Sequence, residues 1–144
     1  MDASTAFAIS ASGLRAQRLR MDVIAANLAN AQSTRTPAGG PYRRRDVVLE
    51  STPQSDSFDD LLASGTPNAT VRVTRIVEDQ RPPQLVFDPG HPDADQNGYV
   101  AMPNVNVVTE MVDLMAATRA YEANVAAVNA TKRVLEAALE IGRA

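Results

Sequence analysis

The stretch Asp93-Ala94-Asp95-Gln96-Asn97-Gly98 has the residue types and spacing to hold a hard cation. Its two carboxylates and its amide fall where a calcium loop of the D-x-D-x-N-G kind places its first oxygen ligands, and its glycine falls where such a loop turns sharply. The closing position should then carry a glutamate that supplies two oxygens, but the residue there is Asn104, after Pro103. Without that ligand the run reads as an Asp/Asn/Gly turn leading into Tyr99-Val100. His91 is the only histidine and there is no cysteine, so a catalytic triad would lack its base as soon as His91 was used elsewhere, and thiolate sites and disulfides are excluded. Tyr42-Arg43-Arg44-Arg45 is the one dense basic cluster. With a net charge of −3 and no further aromatic or basic platform nearby, it reads as a solvated strand edge or a source of ion pairs to a neighbouring subunit, not as a nucleic-acid site. No glycine-rich phosphate loop occurs, and no carboxylate pair is spaced for acid and base work. The expectation is a protein that is not an enzyme and that uses no cofactor and no metal.

Asparagines raise a different question. Asn27 and Asn30 lie in VIAANLANAQST, and Asn124 and Asn129 in YEANVAAVNA, both of them alanine-rich runs of helical character. Asparagine is a mediocre helix former and needs hydrogen-bond partners wherever it is buried, so its place among alanines calls for a structural reason.

The elements that must position these residues follow from apolar periodicity. From about Ser4 to Thr34, Phe7, Leu14, Met21 and Leu28 recur every seventh residue, which predicts a helix with a coiled-coil-like seam. A second stripe, Ile9, Gly13, Ala16, Val23, Asn27 and Asn30, occupies roughly the opposite side. Pro37, Gly39, Gly40 and Pro41 end that helix. Arg45 to Glu50, Val71 to Glu78 and Leu85 to Asp88 are short, β-branched and partly alternating, which predicts strands of one small sheet. The Ser/Asp/Pro/Gly-rich run at 51–70 reads as a mobile loop, with room for a short helix at 58–63. A second long helix is expected from Asn106, as cap, to Ile141, closing near Gly142. Its seam holds Met111, Leu114, Tyr121, Val125, Val128, Leu135 and Leu139. Beside the seam runs a stripe of small residues, Ala117, Ala120, Asn124, Ala127 and Thr131.

The fold class is therefore α+β, mainly helical, with terminal helices packed as a coiled-coil-like pair around a small β-rich middle. Residues 1–36 and 103–144 form the helical core and 37–102 the middle segment. Apolar residues make up 44% of the chain but aromatics only 4%, and much of the apolar count is alanine, so any core of its own should be thin. Pairing the two seams would leave the second stripes open, with too little charge for solvated faces, and these are the surfaces expected to meet other subunits. Acidic Asp2, and Arg15, Arg18 and Arg20 within the first helix, exclude a cleavable signal peptide. No run of about 18 apolar residues is present to span a membrane.

The N-terminal ASGLRAQRLRMDVIAANLANAQST resembles the signature of the flagellar rod and hook axial protein family, and EMVDLMAATRAYEANVAAVNATKRVLEAALEIGR resembles that family's closing helix. PYRRRDVVLE and DPGHPDADQNGYVAMPNVNVV strengthen the likeness, which covers almost all of the chain outside 51–70. The resemblance implies a structural subunit of the proximal rod of the bacterial flagellar basal body. Such a subunit self-assembles through its terminal helices into the drive shaft that crosses the periplasm and carries torque to the hook. The implied partners are the other proximal rod proteins, the rod-to-ring adaptor FliE, the membrane ring, the distal rod and the flagellar type III export apparatus, with no nucleic acid. In that setting the asparagines, Asn27, Asn30 and Asn124 in particular, are expected to fix the register between neighbouring helices of the assembly. The competing function is a cytoplasmic helical adaptor or coiled-coil binding module.

Overall fold

Alanine, leucine and arginine dominate Ala3–Ala29, with no proline to interrupt the hydrogen-bond ladder, and these residues form helix α1. The computed structural model describes residues 3–53 and 69–142. Helix α1 stops short of the expected Thr34 because side chains there compete for the backbone. The Asn30 amide donates to the Ala26 carbonyl at 2.9 Å, and the Ser33 hydroxyl donates to the Asn30 side-chain oxygen at 3.1 Å. The second helix, α2, spans Val107–Ile141, and Asn106 caps it as the sequence leads one to expect, its side chain accepting from the Thr109 amide. At 1.5 Å per residue α2 is about 50 Å long.

Between the helices lie four strands, β1 (Arg45–Pro53), β2 (Ala69–Glu78), β3 (Gln84–Phe87) and β4 (Tyr99–Met102). They form two separate antiparallel ribbons, β1–β2 and β3–β4, where one sheet is expected from the sequence. Strand β4 was not anticipated. It has only four residues and depends on the Asp95 turn, whose side chain accepts from the Asn97 and Tyr99 amides and which reverses the chain at Gly98, φ +82°. The ribbon β1–β2 extends through Pro53 and starts again at Ala69, so both ends of the expected 51–70 loop are strand. The rest of that loop, with the helix expected at 58–63, lies outside the described residues.

Helices α1 and α2 run antiparallel, with Asn27 beside Glu110, Met21 beside Thr118 and Gly13 beside Asn124. Helix α1 is the shared element, packing on α2 and on the β1–β2 ribbon. Ser12 fastens it to the ribbon: its hydroxyl accepts from the Val71 amide at 3.0 Å while donating to the Ile9 carbonyl at 2.6 Å.

The covered side of α1 is the stripe that the sequence assigned to other subunits. Gly13, Ala16, Val23 and Asn27 of that stripe are buried, with Ser12 and Ile24 beside them, whereas Leu14, Met21 and Leu28 are half-buried and Phe7 is 47% exposed. On α2 the contact takes residues of both stripes: Ala117 is buried and Asn124 half-buried from the small one, Leu114, Tyr121, Val125 and Val128 of the seam are half-buried beside them, and Met111 is exposed. The choice is inverted on α1 because small side chains let two helices approach closely, and close approach covers more surface than a seam of bulky side chains held further apart.

Gly13 is the closest of these approaches. A β-carbon there would sit 2.9 Å from the Asn124 side-chain oxygen, and the Asn124 amide is held by its bond to the Ala120 carbonyl at 2.9 Å. Gly13→Ala should therefore lower stability by about 1 kcal/mol, even though alanine is the better helix former. Chemical denaturation checks this, and Asn124→Ala in the same chain should recover most of the loss.

Candidate assembly interface and the polar cluster beneath it

Beneath the candidate interface lies a buried polar cluster where α1, β1 and α2 meet. Asn27, fully buried, uses its whole hydrogen-bonding capacity. Its oxygen accepts from the Tyr42 hydroxyl at 3.0 Å and the Arg45 amide at 2.9 Å; its nitrogen donates to the Arg45 carbonyl at 2.8 Å and to Glu110 Oε2 at 2.9 Å. Glu110 is also fully buried, and its other oxygen accepts from the Arg44 guanidinium, which Asp46 and Asp113 flank. Burial works against the charge on Arg44, but the hydrogen bond and charge of Glu110 outweigh it and hold Arg44 firmly protonated. Burial pushes the Tyr42 hydroxyl above its ordinary range, so it stays a donor at neutral pH.

This arrangement corrects two expectations. Asn27 does not reach a neighbouring chain, because all four of its bonds close inside its own. Two arginines of the basic cluster pair within the chain as well, Arg44 with Glu110 and Arg45 with Glu78. Glu110 was missed in the sequence, although a signal for it exists. It shares a helix face with Leu114, Ala117 and Tyr121, and a carboxylate on a covered stripe requires a partner.

The aspartate turn has similarly local duties. Asp93 accepts from the Thr34 hydroxyl at 2.7 Å and pairs with Arg35, tying the β3–β4 hairpin to the segment after α1. The bond from Thr34 and the Arg35 charge hold its carboxyl below the usual range. His91 Nδ1 accepts from the Asp93 amide at 3.0 Å. Among the described residues no group of three or more His, Cys, Asp or Glu side chains converges on a point. Beside the cluster a cleft of about 620 Å³ is lined by Arg44, Arg81, Asn104 and Glu110. Its arginines already face carboxylates, and Arg81 holds the Asp79 carboxyl at about 2.

The remaining candidate residues divide by exposure. Leu114, Tyr121, Asn124, Val125 and Val128 are half-buried along the α1–α2 contact. Asn30 is spent on its own turn. Phe7, Met111, Leu135 and Leu139 are exposed. The register of the pair brings Ala3 level with about Val134, so Leu135 and Leu139 project past the start of α1 on the face that elsewhere meets it. They are 41% and 68% exposed.

Asn27→Leu should leave four partner groups short of a bond, the Tyr42 hydroxyl and the Glu110 carboxylate buried among them, at ~1 to 3 kcal/mol for each uncompensated buried group. The isolated chain should lose at least ~3 kcal/mol in denaturant unfolding, with incomplete additivity because the groups are coupled. An unchanged unfolding midpoint would show that water replaces the amide.

Comparison with known proteins follows the same division. A family model described as "Flagella basal body rod protein" matches residues 7–35, which include most of α1 and its closing turn. One described as "Flagellar basal body rod FlgEFG protein C-terminal" matches residues 96–141, which include β4 and α2. The chain is 50% identical to the flagellar basal-body rod protein FlgC of Bacillus subtilis over 144 aligned positions, covering 94% of this chain and 95% of the relative. It is 44% identical to FlgC of Borreliella burgdorferi, with 92% and 93% coverage, and 44% identical to FlgC of Salmonella typhimurium, with 95% and 96%. Asn27 and Glu110, one in each matched segment, join the two halves of what these likenesses identify: the chain belongs to the FlgC family of flagellar basal-body rod proteins.

Proposed function

We propose that this chain occupies the proximal rod and that its terminal helices, 1–36 and 103–144, form the core through which copies pack into a torque-bearing shaft. Membership of the family makes it a structural subunit of the flagellar basal-body rod, associated with other rod components, and not an enzyme. This sets aside the cytoplasmic adaptor. The finer reading adds the other proximal rod proteins, the rod-to-ring adaptor FliE, the membrane ring and the distal rod as neighbours. It places the rod across the periplasm, reached through the flagellar type III export apparatus without a cleavable signal peptide. A cysteine-free chain suits passage between redox environments, and no helix among the described residues is long and apolar enough to cross a membrane.

One observation carries the assembly reading. Leu135 and Leu139 continue the packing face of α2 beyond the first described residue of α1, where no described helix of their own chain covers them. Copies that cover each other in this way recover burial that a single thin-cored chain forgoes.

Leu135→Asp and Leu139→Asp test it. In the isolated chain each carboxylate stays in water, and the unfolding midpoint should barely move. In the rod each must enter a buried contact, at a cost of several kcal/mol per ion, so synthesis and export should persist while swimming is lost. Normal swimming by both variants would refute the placement of these residues at the interface.

A further inference from the structure

The β3–β4 hairpin carries an apolar surface that its own chain does not use. The register pairs Val86 with Val100; Val100 is buried and Val86 43% exposed, so that face turns inward at β4. Leu85 and the Phe87–Tyr99 pair therefore lie on the outer face. Leu85 is 67% and Phe87 63% exposed. The patch is preformed. Phe87 and Tyr99 meet edge to face at 5.3 Å, and the Phe87 ring lies across Gly98, where a β-carbon would stand 2.9 Å from it. The rim is acidic: Asp88 and Asp95 are exposed, bond only to backbone amides of their own turn, and have no ion pair among the described residues.

A second apolar surface on the same chain has a cation, not carboxylates, next along its line. Val108, Met111, Val112 and Met115 fall on one face of α2, all exposed, and Arg119 follows on the same line without an ion pair among the described residues. Methionine side chains adapt around aromatic rings and place sulfur favourably at ring edges.

A rod that lengthens without closing needs two different, complementary patches on each copy. We propose that the outer face of the β3–β4 hairpin of one copy docks on the Val108–Met115 stripe of a second copy. Leu85, Phe87 and Tyr99 enter among the methionines, and the acidic rim faces Arg119. Apolar contact at the centre with opposite charges at the edge is the usual anatomy of a specific protein interface. Both surfaces are open in one chain at the same time, so the contact is between chains. The inference rests on the assembly reading above, and its test separates the two.

The chain has no cysteine, so introduced thiols are unambiguous. Cells lacking the native copy would make two differently tagged full-length chains, one with Leu85→Cys and the other with Val112→Cys, both at exposed positions. Oxidation of isolated basal bodies should give a disulfide dimer bearing both tags. Basal bodies that contain both chains but yield no mixed dimer overturn the docking and leave the assembly reading intact; basal bodies that contain neither chain overturn both. A charge exchange gives a second readout: Asp88→Lys and Arg119→Glu should each reduce swimming, and the double variant should restore it. A double variant that swims no better than the poorer single one also overturns the docking.

Discussion

A carboxamide shut away from water must place two donated and two accepted hydrogen bonds, or lose free energy for each one omitted. Asn27 places all four, on Tyr42, on both backbone groups of Arg45 and on Glu110. Those partners belong to the segment entering β1, to β1 itself and to the first turn of α2. The bonds therefore set three elements relative to α1 at one point. Neither leucine nor aspartate could serve, since leucine bonds to nothing and a carboxylate would face the carboxylate of Glu110.

The ion pair next to this amide has a positional role more than a stabilising one. Removing a carboxylate and a guanidinium from water costs about as much as their attraction returns, so Arg44 and Glu110 add little net stability compared with a well-packed apolar pair. They do specify one arrangement, because any shift of α2 along α1 would strand a buried charge. Fixing that register also fixes where the outer surfaces lie, including the projecting Leu135 and Leu139 and the stripe from Val108 to Met115. For a subunit that works by geometry, a defined register matters more than a large core.

The thin core follows from the same division. Gly13, Ala16 and Ala117 bring the helices close at the cost of buried side-chain area, while Met111, Val112, Met115 and Leu139 stay outside. A protein intended to remain a monomer would place its methionines and leucines inward. Here the larger side chains stay exposed, and the proposed assembly would use them for contacts between chains.

Local chemistry was legible from the residues alone. The bounds of α2, its Asn106 cap, the β character of 45–50, 71–78 and 85–87 and the turn at Asp95 to Gly98 all depend on neighbours a few positions apart, and propensity and capping report such neighbours directly. Periodicity also drew two stripes on each helix, but it could not say which one faces inward. That choice depends on how closely two backbones approach, a property of the pair and not of either helix; it favoured the Gly13 side of α1 over the Phe7 side, and on α2 it seated Ala117 among the half-buried seam residues. The same limit hid the partner of Asn27. Glu110 lies 83 positions further along the chain, and only the antiparallel packing of α1 on α2 brings that carboxylate within 2.9 Å of the amide.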